Sequence, residues 1–171
     1  MNEVLPAGMA APDPFVEVLV GLVGLVATIF VHGSSIRFIT SYFSDRWVGV
    51  TAQTPLWRVN LLLAGTIAAL SVTHFAETLI WAVPISTTGM IPAMRDSYYF
   101  VLESYTTLGA GDVELPEQWR LIGPIIAMSG LFTFSWTAGV LVSVMNEFGK
   151  LDRARAARRK GEPEARAEPP R

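Results

Sequence analysis

The sequence predicts an all-α membrane protein of three transmembrane helices, with a re-entrant segment between the second and the third. Three observations carry that expectation. Of 171 residues, 51% are apolar and only 16% charged, against about 25% charged in an average soluble domain. Three apolar runs, Phe15 to Ile36, Val59 to Val83 and Leu121 to Met145, are 22 to 25 residues long, enough as helices to cross about 30 Å of hydrocarbon. Between the second and third runs a short semi-polar stretch breaks into glycine-rich backbone, which survives at membrane depth only when it lines a wet cavity or is buried in protein.

Taken in order, residues 1–14 precede the first span and hold no Lys or Arg. A start without a basic region reads as a retained first helix rather than a cleaved leader. The first helix is expected over 15–36 and a loop over 37–58. The unit 59–148 then holds a span, a short helix, a loop and a span. Pro84 to Pro92 reads as a turn-rich surface segment. Asp96 to Leu108 reads as the short helix, ended by Gly109-Ala110-Gly111-Asp112, where two glycines in three residues disfavour helix. In the tail, 149–171, the third helix is expected to run on until Gly161 and Pro163 stop it, leaving Glu162 to Arg171 disordered.

Charge sets the orientation. Residues 150–171 hold eight basic and four acidic residues, and 1–149 hold five basic and eleven acidic. The 37–58 loop carries Arg37, Arg46 and Arg58. Three spans put this loop and the tail on one side, and the excess of Lys and Arg makes that side cytoplasmic. The N-terminus and the re-entrant loop then face outside, as in an integral protein of a bacterial inner membrane. The basic tail reads as a topology signal beside anionic lipid of the bilayer, and nucleic acid is not expected as a partner. The size excludes a soluble enzyme with a separate cofactor domain. With no cysteine, thiol nucleophiles and cysteine-held metals are excluded as well.

The segment Glu103-Ser-Tyr-Thr-Thr107-Leu-Gly-Ala-Gly-Asp112 is the most informative. A permeating cation must shed water, and backbone carbonyls can replace those oxygens when successive dihedrals alternate in sign, which explains a glycine at 109 and again at 111. The short helix would aim its negative C-terminal end at a cavity and favour a cation there. The segment resembles the pore loop of the potassium-channel family, whose usual filter reads Thr-Val-Gly-Tyr-Gly-Asp. Tyr99-Phe100, Trp119-Arg120 and Gly130 stand where that family has pore-helix aromatics, the opening of the inner helix and a hinge glycine. The resemblance covers 60–148 and is nearest to the prokaryotic two-span pore proteins, with the first span as an addition.

The resemblance implies an ion-binding filter at Thr107, Leu108, Gly109, Ala110 and Gly111, a gating hinge at Gly130, and a homotetramer in which each chain supplies a quarter of the filter. No cofactor is implied beyond permeant potassium ions, and no catalytic or resident metal site. Glu103 and Asp112 correspond to a pair that shares a proton behind the filter; solvation of both at the outer mouth is the plainer alternative. Ala110 stands where the family has an aromatic; the backbone carbonyl is kept, and the ring that packs outward against the pore helix is lost. Tyr98, Tyr99 and Tyr105 are nearby in sequence as substitute props, Tyr99 and Tyr105 being assigned as filter support.

His74 and Glu77 stand at i and i+3 on one face of the second span. An ionisable pair there suggests a proton sensor, an inter-subunit clasp or half of a metal site, with a mutually satisfied polar pair as the bland reading. His32 is the only other histidine, and the expected span limits place it about 10 Å from His74 in depth. Glu17 reads as an interfacial residue. Trp47, Trp57, Trp81, Trp119 and Tyr42 read as interfacial anchors, while Trp136 is mid-span. No span repeats basic residues at every third position, so no voltage sensor is expected. The expected function is a tetrameric cation channel conducting potassium, and not an enzyme. The rivals are a weakly selective monovalent cation channel and a non-conducting pore-fold scaffold.

Overall fold

The computed structural model describes residues 14–165. All regular structure among them is helical: α1 (Pro14–Trp47), α2 (Leu56–Thr87), α3 (Met94–Tyr105), a 3₁₀ turn at Glu117–Trp119, and α4 (Ile122–Ala165). Three helical stretches, Pro14–Trp47, Leu56–Thr87 and Glu117–Gly161, are long and apolar enough to cross a membrane, and α3 with its glycine loop lies between the second and third.

The helices outrun the apolar stretches that announce them. Helix α1 has 34 residues, about 50 Å at 1.5 Å per residue, and it absorbs 37–47 of the expected loop. Ile36, Ile39 and Phe43 are buried along one face of that extension, at the i, i+3, i+7 spacing that favours helix. Helix α2 runs through Pro84 to Thr87, so the expected surface segment begins as helix. A proline there forfeits one backbone hydrogen bond near the helix end, and the Thr88 N–H and hydroxyl both return to the Pro84 carbonyl, at 2.9 and 2.7 Å. Ile85 and Ile91 of the same segment are core residues. Helix α3 starts two residues earlier and ends three earlier than expected, because Thr107 takes a positive φ of 59°. At the far end α4 passes Gly161 and Pro163 and is helical through Ala165, the last described residue. The stretch 166–171 expected to be disordered, and 1–13, lie outside the described residues.

The chain divides into two compact units. Of the described residues, the filter-bearing unit holds 14–34 and 72–135. Its apolar core joins Trp81, Ala82 and Ile85 of α2, Phe100, Val101 and Tyr105 of α3, and Ile122 and Ile126 of α4. Helix α1 lies flush on this core. A side chain at Gly24 would put its Cβ 2.5 Å from the Trp81 ring, and one at Gly21 would stand 2.3 Å from Ile125 Cδ1. Small residues at such crossings let helix backbones approach closely. Trp81 is therefore a buried core residue and not an interfacial anchor.

Of the described residues, the tail-bearing unit holds 35–71 and 136–165. Phe43, Val59, Val144, Phe148 and Leu151 form its main cluster, with the Trp47 ring 4.7 Å from Phe148 and 5.3 Å from Phe43. Arg155 donates to the Thr54 carbonyl at 2.6 Å and so ties the 48–55 turn to α4.

Candidate functional site

The pore-loop candidate begins with a helix held by its buried face. Ser97, Phe100, Val101, Glu103 and Tyr105 are buried on α3, and the Ser97 hydroxyl donates to the Ile91 carbonyl at 2.7 Å. Asp96 sits in the first turn, where a negative charge suits the helix dipole. At the other end the Glu103 carbonyl receives the N–H groups of Leu108 at 2.8 Å and Gly109 at 3.4 Å. Those two bonds fold the chain back directly after the helix and start the loop.

Through the loop the sign of φ alternates. It is positive at Thr107 (59°), Gly109 (60°) and Gly111 (78°), and not at Leu108 or Ala110. Alternation of this kind turns successive carbonyls toward one side of the strand, whereas a uniform extended strand points them to opposite sides. Glycine adopts the positive value without strain, and Thr107 is the one non-glycine residue among the described residues that takes it. All five residues, 107–111, are exposed in the single chain, Leu108 at 71%.

Glu103 and Asp112 stand in different surroundings. Glu103 is buried, and its Oε2 has no hydrogen-bond partner among the described residues, so solvation at an outer mouth does not describe it. Asp112 is exposed and accepts from the Tyr99 hydroxyl at 3.3 Å. Desolvation, and then the charges of Asp112 and Glu103, push the Tyr99 phenol above its usual range, so it remains a donor. A cavity of about 330 Å³ adjoins Glu103, Thr107, Gly109, Gly111 and Arg120.

Tyr105 is committed elsewhere. Its hydroxyl donates to Glu77 Oε2 at 2.7 Å and lies 2.6 Å from Thr133 Oγ1, which holds the last residue of α3 to both α2 and α4. Its ring belongs to that cluster rather than to a space beside Ala110. Gly130, expected as a hinge, sits within unbroken helix α4 at the closest approach of all: a Cβ there would fall 2.0 Å from the Tyr105 carbonyl oxygen.

The His74–Glu77 pair is part of a larger set. His32 Nδ1 lies 2.8 Å from Glu77 Oε1, and His74 Nδ1 lies 3.5 Å from Oε2 and 3.0 Å from the Tyr105 hydroxyl. The two imidazoles are 5.3 Å apart, with Phe134 4.5 Å from His74. His32 and Glu77 are fully buried. The expected 10 Å separation of the histidines is thus overturned; it assumed that apolar runs mark helix limits, and α1 continues eleven residues past Ile36. The three side chains each offer a ligand atom within 4.8 Å of the others. Glu17 is corrected too. It is buried and accepts from the Leu121 N–H, satisfying an amide next to the start of α4 that the helix cannot pair.

Residues 59–147, just over half of the chain, match the family model described as "Ion channel". No curated protein and no solved structure matches the chain.

Proposed function

The chain belongs to the ion-channel family, and from that membership we propose that it forms a homotetrameric cation channel whose filter is the backbone of Thr107, Leu108, Gly109, Ala110 and Gly111, with potassium as the permeant ion. The observation that carries this reading is the alternating sign of φ across 107–111. Alternating dihedrals are what a backbone needs to bring its carbonyl oxygens to one side, the arrangement that replaces the water around a cation. One chain carries one such loop, so a ring of oxygens needs four copies. The exposure of all five residues in the single chain supports a surface completed by other copies.

The rest of the loop region serves this reading. Asp112, Glu114 and Glu117 follow the filter and concentrate cations at its mouth. Tyr99 steadies Asp112, and Gly130 lets α4 pass against the end of α3; bending at Gly130 would gate the pore. With the basic tail in the cytoplasm, the loop opens to the outside of a bacterial inner membrane. Ala110 gives the filter no aromatic of its own, and the hydroxyls of the three nearby tyrosines are engaged elsewhere, Tyr98 with the Phe75 carbonyl, Tyr99 with Asp112, and Tyr105 with Glu77 and Thr133.

Native mass spectrometry of the purified protein should show four chains, and the bi-ionic reversal potential should favour potassium over sodium. Ala110→Tyr should raise that preference. A dimer as the largest species defeats the pore reading. A reversal potential near zero reassigns the protein as a weakly selective monovalent cation channel.

A further inference from the structure

The geometry points to a divalent-metal site in the filter-bearing unit, made by His32 of α1, His74 and Glu77 of α2, and Tyr105 at the end of α3, with Zn²⁺ the ion of best fit. Each of the four side chains turns a donor atom to one small volume. Glu77 is the centre, with His32 Nδ1 at 2.8 Å, Tyr105 Oη at 2.7 Å and His74 Nδ1 at 3.5 Å from its oxygens. His74 Nδ1 and Tyr105 Oη are 3.0 Å from each other. Four donors placed about 2.0–2.1 Å from a tetrahedral Zn²⁺ stand about 3.3 Å apart, so small rotations of the side chains suffice to admit an ion.

The donor set selects the metal class. Two imidazoles and a carboxylate suit Zn²⁺ and its borderline neighbours, and the absence of cysteine from the sequence removes the ligands that favour softer ions. Each imidazole would ligate through Nδ1 and carry its proton on Nε2. Tyr105 would bind as phenolate, its proton leaving to solvent. The carboxylate and phenolate together balance the ion's two positive charges, which a site out of water requires. A second layer is already in place. Thr133 Oγ1 lies 2.6 Å from Tyr105 Oη and 3.1 and 3.0 Å from the carbonyl oxygens of Ser129 and Gly130; outer-shell partners of this kind orient ligands and tune affinity. His74, 13% exposed, is the face by which an ion enters.

Such a site would join the first span to the pore helix. His32 lies on the helix added to the two-span plan, and Tyr105 is two residues from Thr107, so an occupied site would fix the end of α3 against α1 and α2. The site stands or falls separately from conduction, because metal content is read on the protein whether or not it conducts.

The test uses full-length protein purified with Zn²⁺, freed of loose metal and analysed by inductively coupled plasma mass spectrometry. The expected content is about one equivalent per chain, with His32→Gln, His74→Gln and Tyr105→Phe each binding more weakly by at least the about 10- to 100-fold that loss of an outer-shell partner costs. Substitution by Co²⁺ reads wild type alone and does not depend on the variants folding. Strong visible bands of a four-coordinate ion support the site. Wild type with no retained zinc and no such bands, or zinc retained equally by folded variants, overturns it.

Discussion

The two units solve the same packing problem in opposite ways. The tail-bearing unit relies on shape-tolerant apolar contact: Phe43, Trp47 and Phe148 stack among Val59, Val144 and Leu151. Of its helical glycines, Gly65, Gly139 and Gly161 meet nothing within 4 Å of an added Cβ, and Gly149 meets only the Arg153 side chain at 3.6 Å. The filter-bearing unit adds a buried polar cluster to its apolar core, and its glycines at 21, 24 and 130 are where neighbours come closest. The contrast follows from what each must hold. Hydrogen bonds are directional, so a cluster centred on Glu77 fixes where Tyr105, and with it the start of the filter, must stand. Apolar contacts hold helices together without dictating position so strictly.

Glycine substitutions break this comparison most sharply. Gly130→Ala should prevent accumulation of folded protein, because its Cβ would lie 2.0 Å from a backbone oxygen that cannot swing aside. Gly139→Ala meets nothing within 4 Å and should raise helix stability by up to about 1 kcal/mol. Thermal unfolding of the two variants in detergent checks both. Equal behaviour would mean that the two units are packed alike.

A second pair separates stability from function. Glu77→Ala should cost about 3–5 kcal/mol, since removing the acceptor at the centre of a buried hydrogen-bonded set strands the rest. Phe148→Ala should cost a similar amount, about 3–5 kcal/mol, through lost contact and a residual cavity. Only the first should also alter ion flux per folded tetramer, because only Glu77 reaches the filter through Tyr105. At the small end, Thr133→Val should cost about 1 kcal/mol, the worth of one hydrogen bond, again with a change in flux.

The same contrast governs what the sequence discloses. The spans are legible because apolar runs of 22 to 25 residues have few other uses, and the loop is legible because Gly109 and Gly111 recur at alternate positions. The helix ends are not, since Ile39 and Phe43 carry α1 onward beyond its last apolar run, and the single Pro84 does not stop α2. The polar cluster is only half legible. His74 and Glu77 are neighbours on one helix, but His32 lies 45 residues from Glu77, and no local spacing links them. Thr133 looks like any hydroxyl in an apolar span. Glu17 looks interfacial until its bond to the Leu121 amide is seen, and Gly21 and Gly24 become informative only once Trp81 and Ile125 are known to face them.

The central claim is that the backbone of 107–111 conducts cations, and ion flux into liposomes tests it most directly. Purified protein should admit potassium and exclude a large organic cation, and Gly109→Ala, which strains a residue at φ of 60°, should abolish the flux while leaving the oligomer intact. Intact wild-type oligomers that pass no potassium would contradict the account and leave a pore fold that serves only as a membrane scaffold.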